Sequence, residues 1–165
     1  MAAAARTTLN QIKKTWGNQL PDVQIIISDG LNARALMDDG HLTPFLTMLR
    51  QNLNTKGFSV GKENILIRLG RVRAGYQCGE VLFGKAPNSK KAKGIIHIIG
   101  ERPGSGHHNF SAYLSAPSQN IWSKEGEVDH NISKVVSGIS DTALKPELAV
   151  AEVVNIFSKM FTEGI

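Results

Sequence analysis

Three short β-branched runs, at residues 23–27, 65–69 and 95–99, are each separated from the next by helix-period sequence, and this alternation restricts the fold more than any other feature. Continuous apolar runs of this length read as strands buried on both faces, which places helices on either side of one sheet. The expected architecture is therefore an α/β sandwich of Rossmann-like type, with a largely parallel sheet and flanking helices.

The helical segments follow from the same periodicity. Residues 7–20 carry Leu9, Ile12, Trp16 and Leu20 at three- and four-residue spacing, and Pro21 is the expected stop. Further helix is predicted at 32–37, at 42–53 after the break at Asp38-Asp39-Gly40 and before Gly57, and at 77–83. A last helix over 146–160 opens with Pro146. Shorter strands are expected at 113–116 and 132–136. The division that follows is a helix over 1–21 packed on a single α/β domain over 22–165.

Composition excludes several functional classes. No apolar run approaches the roughly 20 residues of a membrane span, and Arg6 interrupts the small apolar start before any signal-peptide core forms. Cys78 is the single cysteine, so neither an intrachain disulfide nor a cysteine-based zinc site can form, which suits a reducing cytoplasm. The five histidines are scattered without metal-ligand spacing, and no Gly-x-Ser-x-Gly elbow is present. Net charge is +5, but its densest stretch, residues 85–93, lacks the aromatics that stack on bases and reads as a solvated loop rather than a nucleic-acid patch.

Ligands of such sheets sit beyond the carboxyl ends of the strands, here 28–31, 70–73 and 100–106. The last loop pairs Gly100, Gly104 and Gly106 with Arg102, whose planar guanidinium suits phosphate or carboxylate. Its glycine spacing fits neither the dinucleotide fingerprint nor a Walker loop, and a plain tight turn remains the alternative. Asp29 reads equally as a helix N-cap.

In this order, Ile27-Ser28-Asp29-Gly30-Leu31, then Gly70-Arg71-Val72 with Gln77, Gly79 and Glu80, then Ile98-Ile99-Gly100-Glu101-Arg102-Pro103-Gly104 resemble the light chain of ethanolamine ammonia-lyase. The likeness covers nearly the whole chain. It implies a partner-dependent carbon–nitrogen lyase in which a barrel-shaped large subunit mainly binds ethanolamine, and adenosylcobalamin lies between the subunits. No catalytic residue is implied on this chain, and no metal ligand, nucleic acid or membrane. The implied setting is cytoplasmic, and a bacterial microcompartment is compatible with it.

By that resemblance Val72, Glu101 and Asn131 stand where the family contacts cobalamin, with Arg71, Arg102, Gly100 and Gly104 beside them. The segment Asn131-Ile132-Ser133-Lys134-Val135, which aligns with a Cys-Ile-Ser-Asn-Ile segment of the family, departs from it, the Cys reading Asn131 and the Asn reading Lys134, and separately the acidic residue before Gln77 reads Tyr76. Three readings stand at this point: a cofactor-covering small subunit, a scaffold that keeps the fold and the large-subunit interface without the cofactor, and a basic nucleic-acid module that rests on the net charge of +5 alone. For Glu101 itself, the alternative to cofactor contact is a surface ion pair with Arg71 or Arg102.

Overall fold

The computed structural model describes residues 1–85, 89–102 and 108–163. In chain order the elements are α1 (Ala3–Thr15), β1 (Val23–Ser28), α2 (Arg34–Met37), α3 (Leu42–Thr55), β2 (Ile65–Ile67), α4 (Val72–Phe83), β3 (Gly94–Gly100), β4 (Phe110–Ser115), α5 (Gln119–Trp122), β5 (Lys134–Ile139) and α6 (Pro146–Glu163). The five strands form one sheet in the order β2-β1-β3-β4-β5. β1 pairs in parallel with β2 and β3, whereas β4 runs antiparallel to both β3 and β5. Four strands thus point one way and β4 opposes them, so the sheet is mixed and the expectation of a largely parallel Rossmann-like sandwich is corrected to that extent. Only residues 101–109 separate β3 from β4, fewer than the dozen or so a parallel crossover requires, so the chain returns antiparallel.

β1 and β3 occupy the middle of the sheet, and every residue of both is buried. On one face Val23, Ile25, Ile27, Ile96 and Ile98 join Phe45, Leu49 and Leu53 of α3 and Val150, Val153 and Phe157 of α6 in the larger apolar core. On the other face Ile26, Ile65 and Ile95 pack with Tyr76, Val81, Leu82 and Phe83 of α4, Trp122 of α5 and Leu9 of α1. Trp16 closes this second core by stacking on Phe83, with ring centroids 6.2 Å apart.

Several boundaries differ from expectation for local reasons. α1 ends five residues before Leu20, because Gly17 takes φ +57 and its amide bonds back to the Lys14 carbonyl, which terminates the helix before Pro21 is reached. α4 begins at Val72 instead of residue 77. Its two glycines depress helix propensity, but each is required by close packing, Gly75 against the His97 ring and Gly79 against the Trp122 indole. β4 starts at Phe110, three residues early, with Phe110, Ala112 and Leu114 turned to the larger core and Ser111, Tyr113 and Ser115 to the opposite face.

The basic stretch 85–93 is not uniformly solvated. Residues 86–88 lie outside the described residues, but Lys93 is buried, its Nζ 3.0 Å from Asp22 Oδ1 and donating to the Leu20 carbonyl at 3.0 Å. Burial opposes ionisation of Asp22, and hydrogen bonds from Ser59 and Lys93 outweigh it, holding the carboxyl below its ordinary pKa. Among the described residues, no helix is long and apolar enough to cross a membrane.

Gly79 gives a test of the second core. Ala is the better helix former by about 1 kcal/mol, but its methyl would enter the Trp122 ring, and overpacking of this kind costs about 1–3 kcal/mol. Gly79→Ala should lower the urea midpoint. A raised midpoint would show that the indole moves aside freely.

Candidate functional site

After β1 the chain turns to one side to form β2, and after β2 it crosses back over β1 to form β3. The winding therefore reverses between β1 and β3, and the carboxyl ends of these strands diverge into loops at one edge of the sheet, the usual ligand position in open α/β folds. The gap is held narrow by backbone. Gly30 sits at φ +60 with no room for a Cβ against the Gly100 carbonyl, and Gly100 is equally confined by the Asp29 and Asn32 carbonyls. The Leu31 amide donates to the Gly100 carbonyl at 2.9 Å. Gly100 is thus explained by approach of the chain's own loop. Nearby Asp29 Oδ1 and Asn32 Nδ2 are buried without hydrogen-bond partners among the described residues.

Val72 opens α4, on a helix where the sequence suggested loop, and Arg71 is its N-cap residue with no side-chain capping bond. The first turn lies against His97. His97 Nε2 is 2.6 Å from Ser28 Oγ, while Nδ1 faces Val72 and has no partner of good hydrogen-bond geometry among the described residues. Burial pushes this imidazole down to about 4, so it is neutral near pH 7 and accepts or donates without carrying charge.

Glu101 continues the β3–β4 ladder by one bond, its amide donating to the Asn109 carbonyl at 3.0 Å. Its carboxylate accepts a hydrogen bond from the Tyr113 hydroxyl, with Oη and Oε1 3.2 Å apart. Burial, reinforced by the Glu101 charge, pushes the Tyr113 phenol up to about 12, so it stays a donor. Neither Arg71 nor Arg102 forms an ion pair with Glu101, and the surface-pair alternative is set aside by this bond.

Tyr76 lies on the same face, one helical turn beyond Val72. Its hydroxyl is buried beside Ser133 without a bond of good geometry among the described residues. Burial raises its pKa, and the nearby Asp129 carboxylate adds to the shift. Ser133 Oγ is already committed to Ser115 Oγ at 2.7 Å and the Asp129 carbonyl at 2.9 Å. Asn131 turns its amide back onto Asp129, with Nδ2 3.1 Å from Oδ2 and its backbone amide 2.8 Å from Oδ1. Its side chain therefore fixes the loop before β5.

The register places Val72 and Glu101 at the carboxyl end of β3 and Asn131, before β5, at the opposite end of the same face, with Tyr113, Tyr76, Ser133 and Asp129 forming a polar seam between them. α4 covers β3 on this face, whereas α6 packs β4 and β5 from the other side and leaves Val135 half exposed. Arg102 is exposed at the seam's end, and Gly104 lies outside the described residues. Tyr76 was read in the sequence only as a departure, and the alternation of β4 is the signal that places Tyr113 beside it. Among the described residues no group of three His, Cys, Asp or Glu side chains is placed to hold a metal ion.

The family model for the ethanolamine ammonia-lyase light chain (EutC) matches residues 2–165, and the chain belongs to that family. It is therefore a component of a lyase complex, and a light chain implies a larger partner subunit.

His97 supplies a pH test of the geometry beneath Val72. Its folded pKa, about 4, lies below the ordinary 6.5, so between those values the unfolded chain binds the proton that the folded chain refuses. Stability present above pH 6.5 should fall as pH drops through this window, by about 3 kcal/mol in all, and level off below it. Urea unfolding at several pH values should show that wild type loses this amount relative to His97→Gln. Parallel profiles for the two proteins would contradict the buried neutral imidazole.

Proposed function

We propose that this light chain closes one side of an adenosylcobalamin site at its junction with the large subunit, with the seam from Val72 to Asn131 lying against the corrin rim. The observation that carries the reading is the Tyr76 hydroxyl. A buried hydroxyl without a partner among the described residues is costly, and this one lies beside Ser133 and near both Asp129, to which Asn131 is bonded, and Tyr113, which donates to Glu101. The corrin rim bears amide side arms, which are both donors and acceptors. Tyr76 can donate to an amide carbonyl, and the Glu101 carboxylate can accept from an amide N–H. Asp29 Oδ1 and Asn32 Nδ2 add one unsatisfied acceptor and one donor. The residues present fit such a group.

When bound, the cofactor supplies homolysis of its cobalt–carbon bond, which starts the elimination of ammonia from ethanolamine to give acetaldehyde. This chain's residues orient and enclose. Tyr113 fixes Glu101 in advance and so reduces the ordering cost of binding. Val72 offers an apolar contact at the first turn of α4, and the loop fixed by Asn131 and Asp129 forms the far wall. Arg71 and Arg102 are exposed at the crevice without ion-pair partners among the described residues and suit the phosphate of the cofactor's nucleotide arm. Ethanolamine itself is held mainly by the large subunit, and none of this chain's residues carries the chemistry.

Mixing the chain with its large subunit and adenosylcobalamin should restore acetaldehyde release from ethanolamine, and full activity of the large subunit alone would refute the reading. A complex that forms but shows no bound corrinoid in its visible spectrum would instead support the scaffold alternative. Glu101→Gln should weaken corrinoid binding to the complex by about 1–3 kcal/mol, the worth of a hydrogen bond to a charged group, with the Tm of the isolated chain nearly unchanged. Unchanged affinity would remove Glu101 from the site.

A further inference from the structure

His41 stands at the N-cap position of α3, yet its ring is buried and caps nothing there. Its two nitrogens are committed in different ways. Nδ1 lies 2.8 Å from the Ala35 carbonyl, which can only accept, so this nitrogen carries a hydrogen in both the neutral and the charged ring. Nε2 faces two partners on one residue of the loop after β5. It is 3.0 Å from Asp141 Oδ1, an acceptor, and 3.2 Å from the Asp141 backbone amide, a donor. Nε2 cannot serve both at once. With a proton it donates to the carboxylate, and without one it accepts from the amide.

The surroundings favour the protonated ring. Burial opposes the charge, but the hydrogen bonds to Asp141 and the Ala35 carbonyl outweigh it and the charges of Asp141 and Asp38 add to them, so the His41 pKa stands above its ordinary 6.5. The Asp141 carboxyl is correspondingly held below its usual range, first by the bond from His41. Phe110 of β4 lies against the ring, with centroids 6.2 Å apart, and adds no charge. Asp38 is itself engaged by His108, whose Nδ1 is 2.6 Å from Asp38 Oδ2. The next charged groups along the same segments are Arg34 of α2, Asp39 of the turn, and Lys145 and Glu147 at the start of α6. All four are exposed and form no ion pair among the described residues.

We propose that His41 and Asp141 form a proton-operated latch between the turn after α2 and the loop that joins β5 to α6. The latch is closed through the carboxylate when the imidazole is charged, and held by the backbone amide alone when it is neutral. Ala35 lies in α2, which follows closely on the 29–32 loop that meets Gly100. At the other end the Ser140 amide donates to the Leu144 carbonyl at 3.0 Å and closes the 140–144 loop on itself. The closed latch ties these two ends into one unit, whereas the open one lets the 140–144 loop move independently of the Gly30–Gly100 contact. The inference concerns this chain's own conformation and does not rest on the cofactor reading.

The test follows the full-length chain between about pH 5.5 and about pH 9, in wild type, Asp141→Asn and His108→Gln, by NMR of the His41 ring and by hydrogen–deuterium protection of residues 140–144. Asp141 is exposed, so its amide variant should leave the fold intact. Wild-type His41 should titrate above 6.5. Loop protection, corrected for the intrinsic pH dependence of exchange, should fall about fivefold or more across that titration. Asp141→Asn should bring the midpoint to 6.5 or below and make loop protection independent of pH, while His108→Gln should keep the wild-type response. A raised folded pKa stabilises most below the unfolded value. The urea-midpoint difference between wild type and Asp141→Asn should therefore be largest below pH 6.5 and shrink as pH rises through the His41 titration, with His97 common to both. A wild-type midpoint at or below 6.5, or an equal loop response in Asp141→Asn, overturns the latch. A response lost in His108→Gln assigns it to the Asp38 pair and also overturns it.

Discussion

The reversal of winding between β1 and β3 is the constraint on which the rest of this structure depends. Both strands are buried throughout, so their order and register are fixed by apolar packing on two faces at once. At their carboxyl ends the confinement of Gly30 and Gly100 brings two loops into backbone contact, and a Cβ at either position would force them apart. Much of what is proposed for function starts from this edge: α4 begins there with Val72 and Glu101 emerges from it, and the seam then runs across the sheet face to Asn131, in the loop before β5 at the opposite end.

The two faces of the sheet serve different ends. One carries the larger core and is covered by α3 and α6, with aromatic contacts among Phe58, Phe157 and Phe161. The other is interrupted by Ser28, His97, Tyr113 and Ser115, side chains that a purely structural face would replace with aliphatics. Several of these polar groups satisfy one another. Tyr76 and His97 do not complete their bonding within the described residues, and that cost is retained in the free chain. A ligand that meets the Tyr76 hydroxyl recovers part of it, which is how a site can be both rigid and poised to bind.

The central strands and the last helix were legible because each is a run with one clear period: Val23 to Ile27, Ile95 to Ile99, and the stripe of Val150, Val154, Phe157 and Met160, although Leu148, read onto the same stripe, is exposed. The direction of β4 was not, although Phe110, Ala112 and Leu114 alternate with Ser111, Tyr113 and Ser115 as expected of an antiparallel strand with one open face. The start of α4 was obscured by Gly75 and Gly79, which lower helix propensity and make sense only once His97 and Trp122 are seen to fill the space. Of the site, Val72, Glu101 and Asn131 came from family resemblance, and no periodicity could have joined three positions on separate elements. The burial of Lys93 and the Tyr113 bond to Glu101 are tertiary facts that leave no trace in local sequence.

The central claim is that the seam from Val72 through Tyr76 and Glu101 to Asn131 lies against the cofactor. Hydrogen–deuterium exchange of the two-subunit complex, with and without adenosylcobalamin, measures this directly. Added protection is expected in the first turn of α4, at residues 100–102 and in the loop at 129–133. Corrinoid binding to the complex with no change at those three segments, or protection confined to the outer face of α6, would contradict the account.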